Sequence, residues 1–332
     1  MTQVFPIPNP ASRVPSPAFV FPGQGSQSIG MLAELAELHP VLRDAFAEAS
    51  EGADVDLWTL SQGGPDAMLN RTEYTQPALL AAGVALWRAW RAAGGAVPFR
   101  LAGHSLGEYT ALVAAGAISL HDAAHLVRIR GQAMQAAAPE GIGAMAAVLG
   151  ADDALVEEVC DEVSGEYVVA PANYNSPGQI VIGGHVQAVD AALAKLSGRG
   201  VRKVVKLAVS VPSHTPLMRE AANRVAMAMN AYAWHAPKIP VVQNVDAQVH
   251  ADVAAIKDAL VRQLYLPVRW TGCVQVLVAD GATRIAECGP GNVLTGLTRR
   301  IDKSIDGRAL GTPGDFDGAL ADWGDARPLG HS

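Results

Sequence analysis

The chain has 332 residues and a mass near 34.5 kDa, and half of it is hydrophobic while only 17% is charged. That length fits about two domains, or one large α/β domain with an insertion, and it buries a core without help from disulfides or metal. The apolar content excludes a disordered chain, and a formal net charge of −7 argues against a nucleic-acid binder, which carries a basic face.

Cys160, Cys273 and Cys288 show no paired spacing, so neither a disulfide framework nor a zinc cluster is indicated, and a reducing compartment is expected. The N-terminus lacks a basic segment followed by an apolar one, so no signal peptide is expected. The longest apolar stretch, Ala78 to Trp87, is far short of the roughly 20 residues a bilayer span needs. These features predict a soluble, cytoplasmic protein with no membrane partner.

In chain order, residues 1–17 carry prolines at 6, 8, 10, 15 and 17 and read as an extended arm. Ala18 to Phe21 is a buried-strand run, stopped by Pro22-Gly23-Gln24-Gly25. Ile29 to Ser50 reads as one helix, and Gln76 to Ala93 as a second, ended by Gly94-Gly95. A short strand at Arg100 to Ala102 enters the turn Gly103-His104-Ser105-Leu106-Gly107. A small-residue helix to Ala117 and a helix from His121 to Gln135 follow. Strands alternating with helices predict a mostly parallel sheet.

The middle of the chain changes character. Strands at Ala144–Leu149, Tyr167–Ala172, Gln179–Gly183 and Val201–Leu207, with helices at Asp152–Val163 and Val186–Leu196, give the order β-α-β-β-α-β of ferredoxin-like units. The fold expected is therefore α/β, an α/β-hydrolase-like core with a ferredoxin-like insertion. Residues 18–140 and 209–315 would form the core, 141–208 the insertion, and 316–332 a weakly patterned tail. Core strands resume near Val241-Val242 and Arg284–Glu287.

The turn at residues 103–107 matches G-x-S-x-G between a strand and a helix, the context of a nucleophile elbow. The glycines keep neighbouring Cβ atoms out of a tight turn, and Ser105 is lifted to a helix N-terminus that favours negative charge. A plain Gly-rich turn with a serine cap would read the same way without a base elsewhere. Among nine histidines, His214 is the best base candidate, in the rigid turn Ser210-Val211-Pro212-Ser213-His214-Thr215-Pro216. His104 neighbours the serine, but consecutive residues point apart, so a pocket-lining or structural role is expected. No carboxylate lies in the position a triad needs. Gln263 could supply a carbonyl oxygen to orient the imidazole, and Asp246 is the rival.

Arg130 is an independent clue. Ala123, Leu126, Val127, Ala133 and Met134 define one face of their helix, and Arg130 falls in the middle of it. A guanidinium on an inward face needs an anion: either an internal Asp or Glu, or a substrate carboxylate clamped through two bonds. The backbone N–H groups of Gln24 and Leu106 could form an oxyanion hole. Gly141-Ile142-Gly143 and Gly289-Pro290-Gly291 lack the strand-to-helix context or acidic partner of a dinucleotide site.

Taken in order, Phe21-Pro22-Gly23-Gln24-Gly25-Ser26-Gln27, Gly103-His104-Ser105-Leu106-Gly107-Glu108-Tyr109, Arg130-Gly131, Asn173-Tyr174-Asn175-Ser176-Pro177-Gly178-Gln179, Val211-Pro212-Ser213-His214 and Gly289-Pro290-Gly291 are distinctive. From about Ala18 to Ile301 the chain resembles the malonyl-CoA:acyl carrier protein transacylases of bacterial type II fatty acid synthesis. The resemblance implies a ping-pong acyl transfer with malonyl-CoA and acyl carrier protein as partners and no metal or other cofactor. Ser105 would be the nucleophile, His214 the base, and the carbonyl oxygen of Gln263 its orienter. Gln24 and Leu106 would hold the oxyanion, and Arg130 the malonyl carboxylate. It also implies that Asn173 and Asn175 lie between the domains and contact CoA. Other readings of the same elbow are a thioesterase or esterase, an acyltransferase subunit of a malonate decarboxylase or polyketide pathway, and an inactive interaction module. Acyl carrier proteins are acidic, so docking would need a local basic rim, with Arg202, Lys203, Lys206, Arg299 and Arg300 as candidates.

Overall fold

The computed structural model describes residues 17–139, 141–209 and 211–324. The expected arm thus falls, except for Pro17, outside the described residues. In chain order the elements are β1 (Ala18–Phe21), α1 (Ala33–Leu38), α2 (Val41–Ala53), α3 (Leu57–Gly63), α4 (Asp66–Leu69), α5 (Thr72–Ala92), β2 (Arg100–Gly103), α6 (Leu106–Ala114) and α7 (Leu120–Ala137). Then come β3 (Gly143–Leu149), α8 (Asp153–Val163), β4 (Val169–Ser176), β5 (Gln179–His185), α9 (Val186–Gly198) and β6 (Lys203–Lys206). The last stretch holds α10 (Arg219–Ala228), β7 (Val241–Val242), α11 (Val253–Tyr265), α12 (Trp270–Ala279), β8 (Arg284–Glu287), α13 (Val293–Ile301), β9 (Asp306–Ala309) and α14 (Pro313–Trp323).

Five strands form one sheet in the order β7-β2-β1-β8-β9, and every pairing in it is parallel. Parallel strands are buried on both faces and read as continuous apolar runs. β1 follows this rule: Phe19 and Phe21 enter the large core with α2, α5, α7 and α11, whereas Ala18 and Val20 face the second core with α12 and α13. The strand order reverses at β1, which has β2 on one side and β8 on the other, and the carboxyl end of strands at such a switch point is where open α/β sheets bind ligands.

The second sheet is antiparallel, in the order β4-β5-β3-β6, with α8 and α9 packed on one face. Its edge strand β4 is stitched to the core: the Tyr174 N–H donates to the Val268 carbonyl at 2.9 Å, and the Val268 N–H to that of Ala172 at 2.9 Å. A Cβ added at Gly183 on β5 would sit 3.1 Å from the Thr215 methyl, so the small sheet closes over the His214 turn.

Three local expectations are corrected. The single helix at residues 29–50 is two, α1 and α2, interrupted at His39-Pro40, because proline donates no backbone hydrogen bond and restricts the residue before it. The turn at residues 173–178 is shorter: β4 continues to Ser176 and only Pro177-Gly178 reverse the chain. Residues 316–323 of the supposed tail complete α14, whose Phe316, Ala319 and Trp323 are buried in the large core. Among the described residues, no helix is long and apolar enough to cross a membrane.

Candidate active site

β1 and β2 run side by side with Phe21 opposite Gly103, and the chain then turns sharply into α6. Ser105 sits on that turn at φ 52 and ψ −108, a left-handed conformation that costs a serine energy and that packing must impose. The flanking glycines explain how the turn fits. A Cβ on Gly103 would lie 1.9 Å from the Gly107 carbonyl carbon, and one on Gly107 would lie 2.0 Å from the Phe21 carbonyl oxygen.

The His214 turn is held by its own N–H, which donates to the Leu264 carbonyl at 3.0 Å, and it places Nε2 2.7 Å from the Ser105 hydroxyl oxygen. His214 Nδ1 lies 2.6 Å from the Gln263 carbonyl oxygen. A carbonyl only accepts, so Nδ1 is assigned the proton and Nε2 is left to accept from the serine hydroxyl. Burial, and after it the Arg130 guanidinium, pushes His214 down to about 3, so the resting imidazole is neutral and Nε2 keeps its lone pair. Asp246, the rival orienter, instead faces His250 Nε2 at 3.1 Å and Arg262 at 3.3 Å.

Arg130 is 1% exposed on α7. Its guanidinium donates to Gln76 Oε1 at 2.8 Å, Gln263 Oε1 at 3.0 Å and the Ser105 hydroxyl oxygen at 3.3 Å. All three partners are neutral, its Nε has no partner among the described residues, and no carboxylate oxygen among them lies within ion-pair distance. The Tyr109 ring lies 5.5 Å from the guanidinium carbon and adds a weaker attraction. A buried cation satisfied only by amides and a hydroxyl, beside the Ser105 hydroxyl, keeps its charge uncompensated and has the chemistry to pair with an anionic group.

The other candidates lie around this centre. Leu106 opens α6, where first-turn N–H groups have no intrahelical acceptor, and Gln24 is exposed on the loop after β1. His104 is half-buried, with Nε2 2.8 Å from Asn175 Oδ1 and its ring tilted against Trp270. Asn173 is buried on β4, where that strand bridges to Val268. Lys203 and Lys206 are exposed on β6, Lys206 pairing with Asp190 at 2.7 Å; Arg202 is exposed just before that strand. Arg299 and Arg300 end α13, donating to the Gly307 carbonyl and to Gln179 Oε1.

Three buried residues escaped the sequence reading. Asn244 accepts from the Ser105 N–H at 2.7 Å and donates to the Gly103 carbonyl at 2.7 Å, so one amide braces both sides of the strained turn. Glu108 accepts from the Asn244 N–H at 2.9 Å and from Gln263 Nε2 at 2.8 Å. Gln76 on α5 holds Arg130. The polar pair Gln243-Asn244 directly after an apolar strand was the available signal for the first.

Known proteins share this arrangement of chain. Residues 18–308 match the acyl transferase domain model. The chain is 52% identical over 303 residues to the malonyl CoA-acyl carrier protein transacylase of Salmonella typhimurium, covering 91% of this chain and 98% of that one. A crystal structure of malonyl-CoA:acyl carrier protein transacylase from Xanthomonas oryzae pv. oryzae superposes with a TM-score of 0.93 at 72% identity, covering 95% of this chain and all of that one. A malonyl-transacylase solved in complex with a type II PKS acyl-carrier protein gives 0.91 at 48% identity, over 92% of this chain and 99% of that one. With identity of this level held over nearly the full length of both sequences, the chain belongs to the malonyl CoA-acyl carrier protein transacylase family.

Proposed function

We propose that this protein transfers the malonyl group of malonyl-CoA to the phosphopantetheine thiol of an acyl carrier protein, through a malonyl ester on Ser105, in fatty acid synthesis. The observation that carries this reading is Arg130, a buried cation whose hydrogen-bond partners among the described residues are all neutral and whose guanidinium reaches the Ser105 hydroxyl. A thioesterase acting on a neutral acyl chain has no use for such a charge.

In the first half-reaction the Ser105 oxygen attacks the thioester carbonyl carbon while His214 Nε2 takes the hydroxyl proton. The carbonyl oxygen becomes an oxyanion held by the N–H groups of Leu106 and Gln24. The C–S bond then breaks, and the proton on His214 passes to the departing CoA sulfur. In the second, the carrier thiol gives its proton to His214 and attacks the ester, and Ser105 leaves with that proton. The Gln263 carbonyl keeps the imidazole in the required tautomer through both steps. Arg130 pairs with the free malonyl carboxylate throughout, and His104, Asn173 and Asn175 line the approach of the pantetheine arm.

The same proposal assigns segments 18–140 and 209–323 to an α/β-hydrolase-like core, α14 included, and 141–208 to a ferredoxin-like insertion. The β-α-β-β-α-β succession and the strand order β4-β5-β3-β6 support the second assignment. Service to a polyketide carrier is the second reading, favoured by the similarity to the transacylase solved with a PKS carrier.

The test is to mix the protein with malonyl-CoA and each of two holo carriers, from fatty acid and polyketide synthesis, and weigh the carriers. The fatty acid carrier gains one malonyl group; preferential loading of the polyketide carrier supports the second reading. Release of free malonate with both carriers unmodified identifies a thioesterase.

A further inference from the structure

We propose that the side-chain amide of Gln263 is a spacer that keeps the buried carboxyl of Glu108 from pairing with Arg130, so that the guanidinium remains available to the acyl carboxylate. The inference rests on the malonyl-transfer reading and deepens it: Gln263 through its side chain, and Glu108 through Gln263, become positioning residues for acyl selectivity.

The site buries one cation and one acid, Arg130 and Glu108, at 1% and 0% exposure. Buried opposite charges ordinarily pair, because each otherwise carries its own desolvation cost. Here they do not. Gln263, fully buried on α11, stands between them, with Nε2 2.8 Å from Glu108 Oε2 and Oε1 accepting from Arg130 at 3.0 Å. The orientation of the amide is forced, since a carboxylate needs the NH2 end and a guanidinium needs the oxygen. Both ionisable groups retain an atom without a partner among the described residues: Glu108 Oε1 and Arg130 Nε. Each therefore keeps capacity for an ion pair that the intervening amide prevents. Burial pushes Glu108 up to about 7, and the bond from Gln263 opposes this more than the charge of Arg130 does. The carboxyl is compensated chiefly by the amide, and the guanidinium is left over.

The spacer also ties selectivity to the nucleophile. Gln263 Nε2 donates to the Ser105 carbonyl at 3.0 Å, while its own backbone carbonyl orients His214. One residue thus meets the serine, the base and the carboxylate-binding cation through three different groups.

The experiment exchanges the two side chains: Glu108→Gln with Gln263→Glu. The number of buried acids and amides is unchanged, and the backbone carbonyl at 263 stays in place; the distance between carboxylate and Arg130 shrinks, and the Ser105 carbonyl loses a donor, a change that acts on both acyl groups alike. With Arg130 neutralised from within, kcat/KM for malonyl-CoA should fall at least about thirtyfold further than that for acetyl-CoA, the low end of what losing a buried charge pair costs. The loss should show mainly as a raised KM for malonyl-CoA. Equal losses for both acyl groups, or an unchanged ratio, overturn the proposal. Should the exchanged protein not fold, as judged by circular dichroism, Gln263→Met replaces it: malonyl selectivity should fall and return in part when Glu108→Gln is added. Equal ratios in those two variants refute the spacer. Wild-type protein that transfers no malonyl group would sink the underlying reading instead, so the two failures are distinguishable.

Discussion

Replacing Arg130 by alanine tests what this buried cation is for. A carboxylate about 4 Å away, at an effective dielectric near 20, is attracted by about 4 kcal/mol, and truncating one member of a desolvated charge pair costs about 2–5 kcal/mol. At about 1.4 kcal/mol per tenfold, malonyl transfer should lose roughly 30- to 5,000-fold in kcat/KM. Two secondary effects run the other way for an uncharged acyl group. Arg130 is among the causes holding His214 low, so its removal makes the imidazole more basic. Alanine also relieves the burial of a charge, although Gln76 Oε1 and Gln263 Oε1 lose their donor. Acetyl transfer should therefore fall far less than malonyl transfer. The assay is acyl-enzyme formation from malonyl-CoA and acetyl-CoA in parallel, with a melting curve as control for the fold. Equal losses for both donors at an unchanged Tm would show that Arg130 is architectural and refute the reasoning.

Three further outcomes are expected. His214 is held at about 3 when folded against an ordinary 6.5, so the unfolded chain takes up that proton first; its contribution to stability is complete above pH 6.5 and drains as pH falls toward 3. Denaturant titrations should therefore show wild type losing up to about 3 kcal/mol more than His214→Gln between pH 6.5 and 4, and parallel pH profiles would contradict this. Gly107→Ala forces a Cβ to within 2.0 Å of a backbone oxygen, so it should destabilise by about 3 kcal/mol or more; a wild-type melting temperature would mean that the elbow relaxes freely. Glu287 accepts from the N–H groups of Leu294 and Thr295 and from the Thr295 hydroxyl at 2.7–3.0 Å, so Glu287→Gln should turn a donor against α13 and cost about 1–3 kcal/mol in urea unfolding, with acyl selectivity preserved.

The Ser105–His214 pair was legible because its signals are local or chemical. G-x-S-x-G imposes a turn, and His214 lies in a proline-bounded one. Arg130 was legible because helical periodicity alone places it on the apolar face of α7. What braces these groups was not. Asn244 follows a two-residue strand too short for any periodicity, and its partner Ser105 lies 139 positions earlier in the chain. Glu108 and Gln76 sit on helices buried nearly all round, where a polar residue carries no facial pattern. The amide of Gln263 is invisible for another reason: its backbone and its side chain serve different partners, and sequence names only the residue. Tyr174 and its polar neighbours read as a loop because β4 is an edge strand, completed by the distant Val268 segment rather than by its own alternation.

The central claim is that an acyl group carried by CoA moves onto Ser105 before it reaches the carrier. Its most direct test is the mass of the intact protein after brief exposure to malonyl-CoA, followed by peptide mapping and addition of holo acyl carrier protein. The account predicts one malonyl group on the peptide containing Ser105, absent from Ser105→Ala and discharged by the carrier. A protein that stays unmodified while the carrier is loaded, or an adduct that survives Ser105→Ala, would contradict it.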